Sequence, residues 1–148
     1  KNSRAHGVPL SRLVVNELDV LNGGPDWPTH GLVICHMPGR KVAGFSKMKR
    51  RLDEVLAQFA EPAVRPWRLH DLRRTVATNL QRIGVRFEVT EAILNHVSVT
   101  QAGIIGNYQL HDWAPEKRKA LEDWSNEVEA KVENFLNPDR ASTPGGAA

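Results

Sequence analysis

Apolar residues in this chain recur at three- and four-residue spacing in a series of short segments, and each segment is closed by glycine or proline. That pattern commits the chain to several separate amphipathic helices and rules out one long rod or a sheet of alternating strands. Ser11 opens the first helix, with Leu13, Val14, Leu18 and Leu21 on one face and Gly23-Gly24 as its stop. A second is predicted over 46–59, burying Met48, Leu52, Val55, Leu56 and Phe59. After Pro62 and Pro66, the string WRLHDLRRTVATNLQRIG predicts a third helix with a stripe of Leu72, Val76, Leu80 and Ile83 and with Gly84 as its stop. Short helices are expected at about 89–94 and at 100–108, where Thr100 is a good N-cap. Pro115 suits the first turn of a long helix whose buried face would be Leu121, Trp124, Val128, Val132 and Phe135.

Strand signals are few. KNSRAHGVPLS reads as a turn feeding a short strand that stops at Pro9, and Leu32-Val33-Ile34-Cys35 is a second short apolar run within a loop-rich stretch. The expected class is mainly α (α+β): one domain over 1–136 with a helical, bundle-like core and a small N-terminal β element, followed by a flexible tail at 137–148.

With 148 residues, the chain can bury roughly two-thirds of its unfolded surface without staples. Cys35 is the only cysteine, which excludes an internal disulfide framework. No apolar run approaches the ~20 residues that span a bilayer, and no signal-peptide pattern opens the chain, so a cytoplasmic protein without a membrane partner is expected. Charge is divided unevenly: residues 1–111 carry 15 Lys and Arg against 9 Asp and Glu, and residues 112–148 carry 5 against 8. A basic face directed at a polyanion is one reading of that asymmetry, and a solvated surface is the other. The first residue is Lys rather than Met, which suggests a fragment or a trimmed chain.

Five residues stand out as carriers of chemistry. His70 and Arg73, three apart on a helix, project from one side. Together they offer a guanidinium fork and an imidazole to phosphate oxygens, although an ordinary polar helix edge has the same pattern. His96 follows an apolar helix in AILNHVSVT, where a packed or capping histidine is the plain alternative. Tyr108 is the only tyrosine, on a segment that Gly103 and Gly106 loosen. Lys1 lies far from these in sequence. His30, Cys35 and His36 lack the paired spacing of a zinc site, so no metal and no cofactor is expected.

In this order, Lys1, His70-x-x-Arg73, His96 and Tyr108, within KNSRAHGVPLS, RLHDLRRTVATNLQRIGV and AILNHVSVTQAGIIGNYQLHDWAPEKRKALEDW, the chain resembles the catalytic domain of the tyrosine recombinases, specifically the phage-type integrases. The resemblance covers nearly all of 1–136, and RLHDLRRT is its most specific piece. It implies that Tyr108 attacks a DNA phosphodiester to form a 3′-phosphotyrosine link. Arg73, His70 and His96 would hold the nonbridging oxygens, and Lys1 would protonate the departing 5′-oxygen. It further implies double-stranded DNA as partner, self-association on DNA as a tetramer, and an origin in a bacterial prophage or mobile element, acting at the nucleoid. Under that resemblance Arg40, Lys41, Lys47, Lys49, Arg50 and Arg51 become candidate phosphate contacts, as do Arg65, Arg68 and Arg74 beside the site. Trp113 and Trp124 read as packing residues. The helix after Pro115 would dock on a neighbouring protomer or on its own domain through Leu121, Trp124, Val128 and Phe135.

The chemistry explains the grouping. A phenol of pKa ~10 is a poor nucleophile at neutral pH, and the phosphodiester anion repels it. Preplaced cationic donors offset the charge that grows on the phosphoryl oxygens, each often worth ~3–4 kcal/mol. Three departures accompany the resemblance. The family's first arginine lies upstream of its hairpin lysine, as does a DNA-clamping domain, and both would precede Lys1. The twelve-residue step from His96 to Tyr108 is wider than the family's usual spacing. A catalytically degenerate DNA-binding domain of the same fold and a type IB topoisomerase-like enzyme are the alternatives.

Overall fold

The computed structural model describes residues 6–28, 30–37, 40–60, 62, 64–96 and 112–137. Among them the chain is mainly helical. Five helices occur, α1 (Arg12–Asn22), α2 (Phe45–Phe59), α3 (Leu69–Arg82), α4 (Phe87–Ile93) and α5 (Ala114–Leu136), with one two-stranded ribbon, β1 (Cys35–Met37) and β2 (Arg40–Lys41). The ribbon is antiparallel, with Cys35 opposite Lys41 and Met37 opposite Arg40. The expected strand before Pro9 is absent from the described residues 6–11, and the apolar run at 32–35 joins a strand only at Cys35. The helix expected at 100–108 lies outside the described residues, as does the tail at 138–148.

The chain divides into two compact units, one made of residues 1–17 and 74–148 and the other of residues 18–73. The first holds the core. Leu80 is fully buried, with Val89, Ile93 and Ala120 beside it and Val76, Ile83, Val85, Trp113, Leu121 and Trp124 packed around them. The two tryptophans are therefore packing residues, as their sequence context suggests. Helix α5 turns small residues inward as well: Ala120 and Ser125 are buried, and the stem of Lys117 lies against the domain. The predicted stripe of α5 missed these because it weighs bulk, whereas a close helix approach needs small side chains. Farther along, Val132 and Phe135 are exposed, so the expected face is buried only over its first half.

Side-chain hydrogen bonds tie the described residues 6–12 to the rest of their unit. His6 Nε2 bonds the Ile93 carbonyl at 3.0 Å, Lys117 Nζ donates to the Gly7 carbonyl at 3.1 Å, and Arg12 N–H donates to Glu122 at 3.2 Å. Ser11 begins α1 as expected, its carbonyl accepting from Val15 N–H. Its hydroxyl accepts from the Ser125 hydroxyl at 2.5 Å, with both residues buried. Ser125→Ala should cost about 1–3 kcal/mol because it strands the Ser11 hydroxyl, and the Ser11→Ala/Ser125→Ala double variant should regain most of that loss. Urea unfolding of the four proteins measures the cycle.

Three helices end on the same turn, in which the residue after a left-handed one donates its N–H to the carbonyl five residues back. Gly24 bonds Asp19 after α1, Val85 bonds Leu80 after α3, and His96 bonds Glu91 after α4, at 2.8, 2.9 and 3.0 Å. The left-handed residue within it is Gly23, Gly84 and Asn95, respectively. Glycine there confirms two predicted stops. The third stop uses asparagine, the next most tolerant residue for positive φ.

The second unit differs from expectation. Helix α2 has nearly the predicted bounds, but Met48, Leu52, Val55 and Phe59 are exposed, at 55%, 45%, 44% and 76%, and only Leu56 is half-buried. Leu72, at the start of α3, is 54% exposed. Periodicity locates an apolar face on a helix but does not supply the surface that covers it. Among the described residues of this unit only Leu18 is buried.

Candidate active site

The start of α3 carries the first two candidates. Arg68 stands just before the helix, and its backbone N–H donates to the Asp71 carboxylate at 2.8 Å while Asp71 N–H donates back to the Arg68 carbonyl at 2.8 Å. This is the side-chain half of a capping box, with the acid at the third helical position, where it also faces the positive end of the helix dipole. The box fixes where α3 starts, so His70 becomes its second residue and Arg73 its fifth. His70 is exposed and Arg73 half-buried. Three residues apart, they lie on the same side of the first turns, near the positive end of the helix dipole.

His96 stands at the end of α4. Its Nδ1 lies 2.9 Å from Glu91 Oε1, and its side chain is 46% exposed. Its backbone N–H closes the end of α4 on the Glu91 carbonyl, and its side chain is a surface imidazole beside a carboxylate rather than a packed one. Glu91 escaped the sequence reading because five residues is not a helical neighbour spacing. The signal that could have found it is an Asn placed to end the helix one residue before a histidine.

His70 and Arg73 belong to the unit of residues 18–73, and His96 to the other. Lys1 and Tyr108 lie outside the described residues.

Of the candidate phosphate contacts, Arg40, Lys41, Lys47, Arg50, Arg51, Arg65, Arg68 and Arg74 are exposed. Lys49 is different. Its ammonium bonds Asp53 at 2.5 Å and sits 4.5 Å from the centroid of the Trp67 ring, in a cleft of about 270 Å³ that Arg65 also lines. A lysine with a carboxylate and an aromatic face is held in place by the protein itself, so it is less suited to a phosphate than its neighbours. Arg50 is within 3.8 Å of Glu54, but both are well exposed, and such a pair contributes only about 0.3–0.5 kcal/mol and yields readily. The sequence cluster contains no acid, yet the helix brings an acid one turn below two of its members.

Among the described residues, no three His, Cys, Asp or Glu side chains gather as a metal-ligand set, and no helix is long and apolar enough to cross a membrane. Comparison with models of known protein families, with curated proteins and with solved structures finds no match to this chain.

Proposed function

We propose that this chain is the catalytic part of a site-specific tyrosine recombinase of the phage-integrase type, which cuts and rejoins double-stranded DNA through a 3′-phosphotyrosine. The observation that carries this reading is RLHDLRRT at a capped helix start, where His70 and Arg73 share one side of the first turns. The mainly helical architecture and the exposed His96 at a fixed helix end agree with it.

In this reading the Tyr108 hydroxyl releases its proton to solvent as its oxygen bonds to phosphorus, and the bond from phosphorus to the 5′-oxygen breaks. Lys1 supplies the proton that the leaving oxygen needs, which typically adds ~100-fold or more. Arg73 spans two phosphoryl oxygens with its fork, and His70 and His96 add single donors. The phosphotyrosine conserves the energy of the broken linkage, so a second 5′-hydroxyl can reverse the step on a new strand without ATP. Self-association of protomers on DNA would use the exposed apolar end of α5, at Val132, Phe135 and Leu136.

Arg40, Lys41, Lys47, Arg50 and Arg51 supply the sequence-independent attraction to DNA. Each Ala substitution among them should lower the slope of log affinity against log salt by up to about one, measured by fluorescence anisotropy on a duplex. The decisive experiment incubates the intact gene product with fragmented DNA of its source, denatures the mixture and recovers DNA still attached to protein. Attachment through tyrosine supports the reading. Salt-sensitive binding without any attached DNA replaces it with the non-cutting alternative.

A further inference from the structure

Glu91 holds His96 at two points. Its carbonyl accepts the His96 backbone N–H at 3.0 Å, and its carboxylate lies 2.9 Å from Nδ1. An ionised carboxylate only accepts hydrogen bonds, so Nδ1 is the donor and carries a proton. Asn95, at φ 51°, makes the turn that folds His96 back toward the helix. The backbone bond therefore fixes where the ring starts, and the carboxylate fixes how it is rotated. Nε2, on the far side of the ring, has no hydrogen-bond partner among the described residues.

The other helix ends show what is unusual here. Val85 closes the same turn after α3 onto Leu80, with both residues in the core cluster, and an apolar contact of this kind commonly accompanies the motif. After α4 that contact is replaced by a polar pair at the surface, with side chains 46% and 18% exposed. An apolar pair would end the helix as well. A histidine tied through one nitrogen, with no partner at the other among the described residues, is instead the arrangement by which proteins set an imidazole's tautomer and aim.

We propose that Glu91 is the positioning residue for His96, holding Nδ1–H so that Nε2 is presented to a phosphodiester oxygen. The identity of that anion rests on the DNA-cleaving reading; the positioning itself does not. With phosphate docked, the ring lies between two acceptors and donates from both nitrogens.

The test uses the intact chain with ¹⁵N-labelled histidine. The ring nitrogens of His96 are followed by NMR while inorganic phosphate, and then a duplex of arbitrary sequence, is added. In the wild type, Nδ1 should be protonated before addition, and the Nε2 resonance should shift as either probe saturates. Glu91→Ala should give a mixture of tautomers and about tenfold weaker phosphate binding at this ring. Glu91→Gln keeps an acceptor oxygen and should remain within about two- to threefold of wild type. It also keeps the comparison usable if the Ala variant folds poorly. A merely structural pair would change stability without changing the response of Nε2. The proposal is overturned if Nδ1 is unprotonated in the wild type, if neither probe moves Nε2, or if Glu91→Ala responds as the wild type does. A phosphate response at His96 in a protein that never attaches to DNA would leave the positioning intact and remove only strand cutting.

Discussion

Tyr108→Phe should abolish every covalent protein–DNA adduct while leaving noncovalent binding to duplex within about twofold, because phenylalanine lacks the one oxygen that can bond to phosphorus but keeps the ring. Arg73→Ala should behave differently. It leaves the nucleophile in place and removes a bidentate donor from the developing charge, so adduct formation should slow by about 10²–10³ rather than vanish. Arg73→Lys restores the charge but not the planar fork and should recover only part of that rate. The measurement is the time course of DNA attachment under denaturing conditions for the four proteins. A Tyr108→Phe protein that still attaches to DNA would mean that another residue is the nucleophile. An Arg73→Ala protein as fast as wild type would remove the guanidinium from the reaction.

Leu80→Ala should be the most damaging single change to the fold. Leu80 is fully buried at the centre of the core cluster, where α4 and α5 pack against the end of α3. Truncation removes the transfer free energy of the lost methyl groups and leaves a cavity that the neighbours fill only in part. A loss of about 3 kcal/mol is expected, equivalent to a fall of roughly 10 °C in Tm for a chain of this size. Thermal unfolding followed by circular dichroism reads it directly. Leu72→Ala, eight residues earlier on the same helix and the same predicted stripe, should cost well under 1 kcal/mol because Leu72 is largely exposed. If the two variants melted together, the assignment of the core to the second half of α3 would be wrong.

That contrast also shows how far the sequence can be read. Spacing placed Leu72 and Leu80 on one stripe, since the two are close to two helical turns apart. It could not tell that the stripe leaves the core before its first turn. The same holds for α2, where Met48, Leu52, Val55 and Phe59 form the predicted face and remain exposed. Conversely, Ala120 and Ser125 are buried although no hydrophobicity pattern marks them, because close packing of α5 selects small side chains.

Among the described residues the sequence by itself determined the helices, most of their limits and the glycine stops, because dihedral preference, capping and periodicity act within a few residues of chain. It also put His70 and Arg73 on one helix side, since an i, i+3 relation is local. Tertiary structure decided which apolar faces are covered, and it tied the described residues 6–11 to the rest of their unit through His6, Lys117 and the Ser11–Ser125 pair. Those ties link residues 87 to 114 positions apart, a distance at which no local preference operates. The Glu91–His96 pair lies between the two cases: its residues are close in sequence, but they meet only because a left-handed turn at Asn95 folds the chain back on the helix it ends.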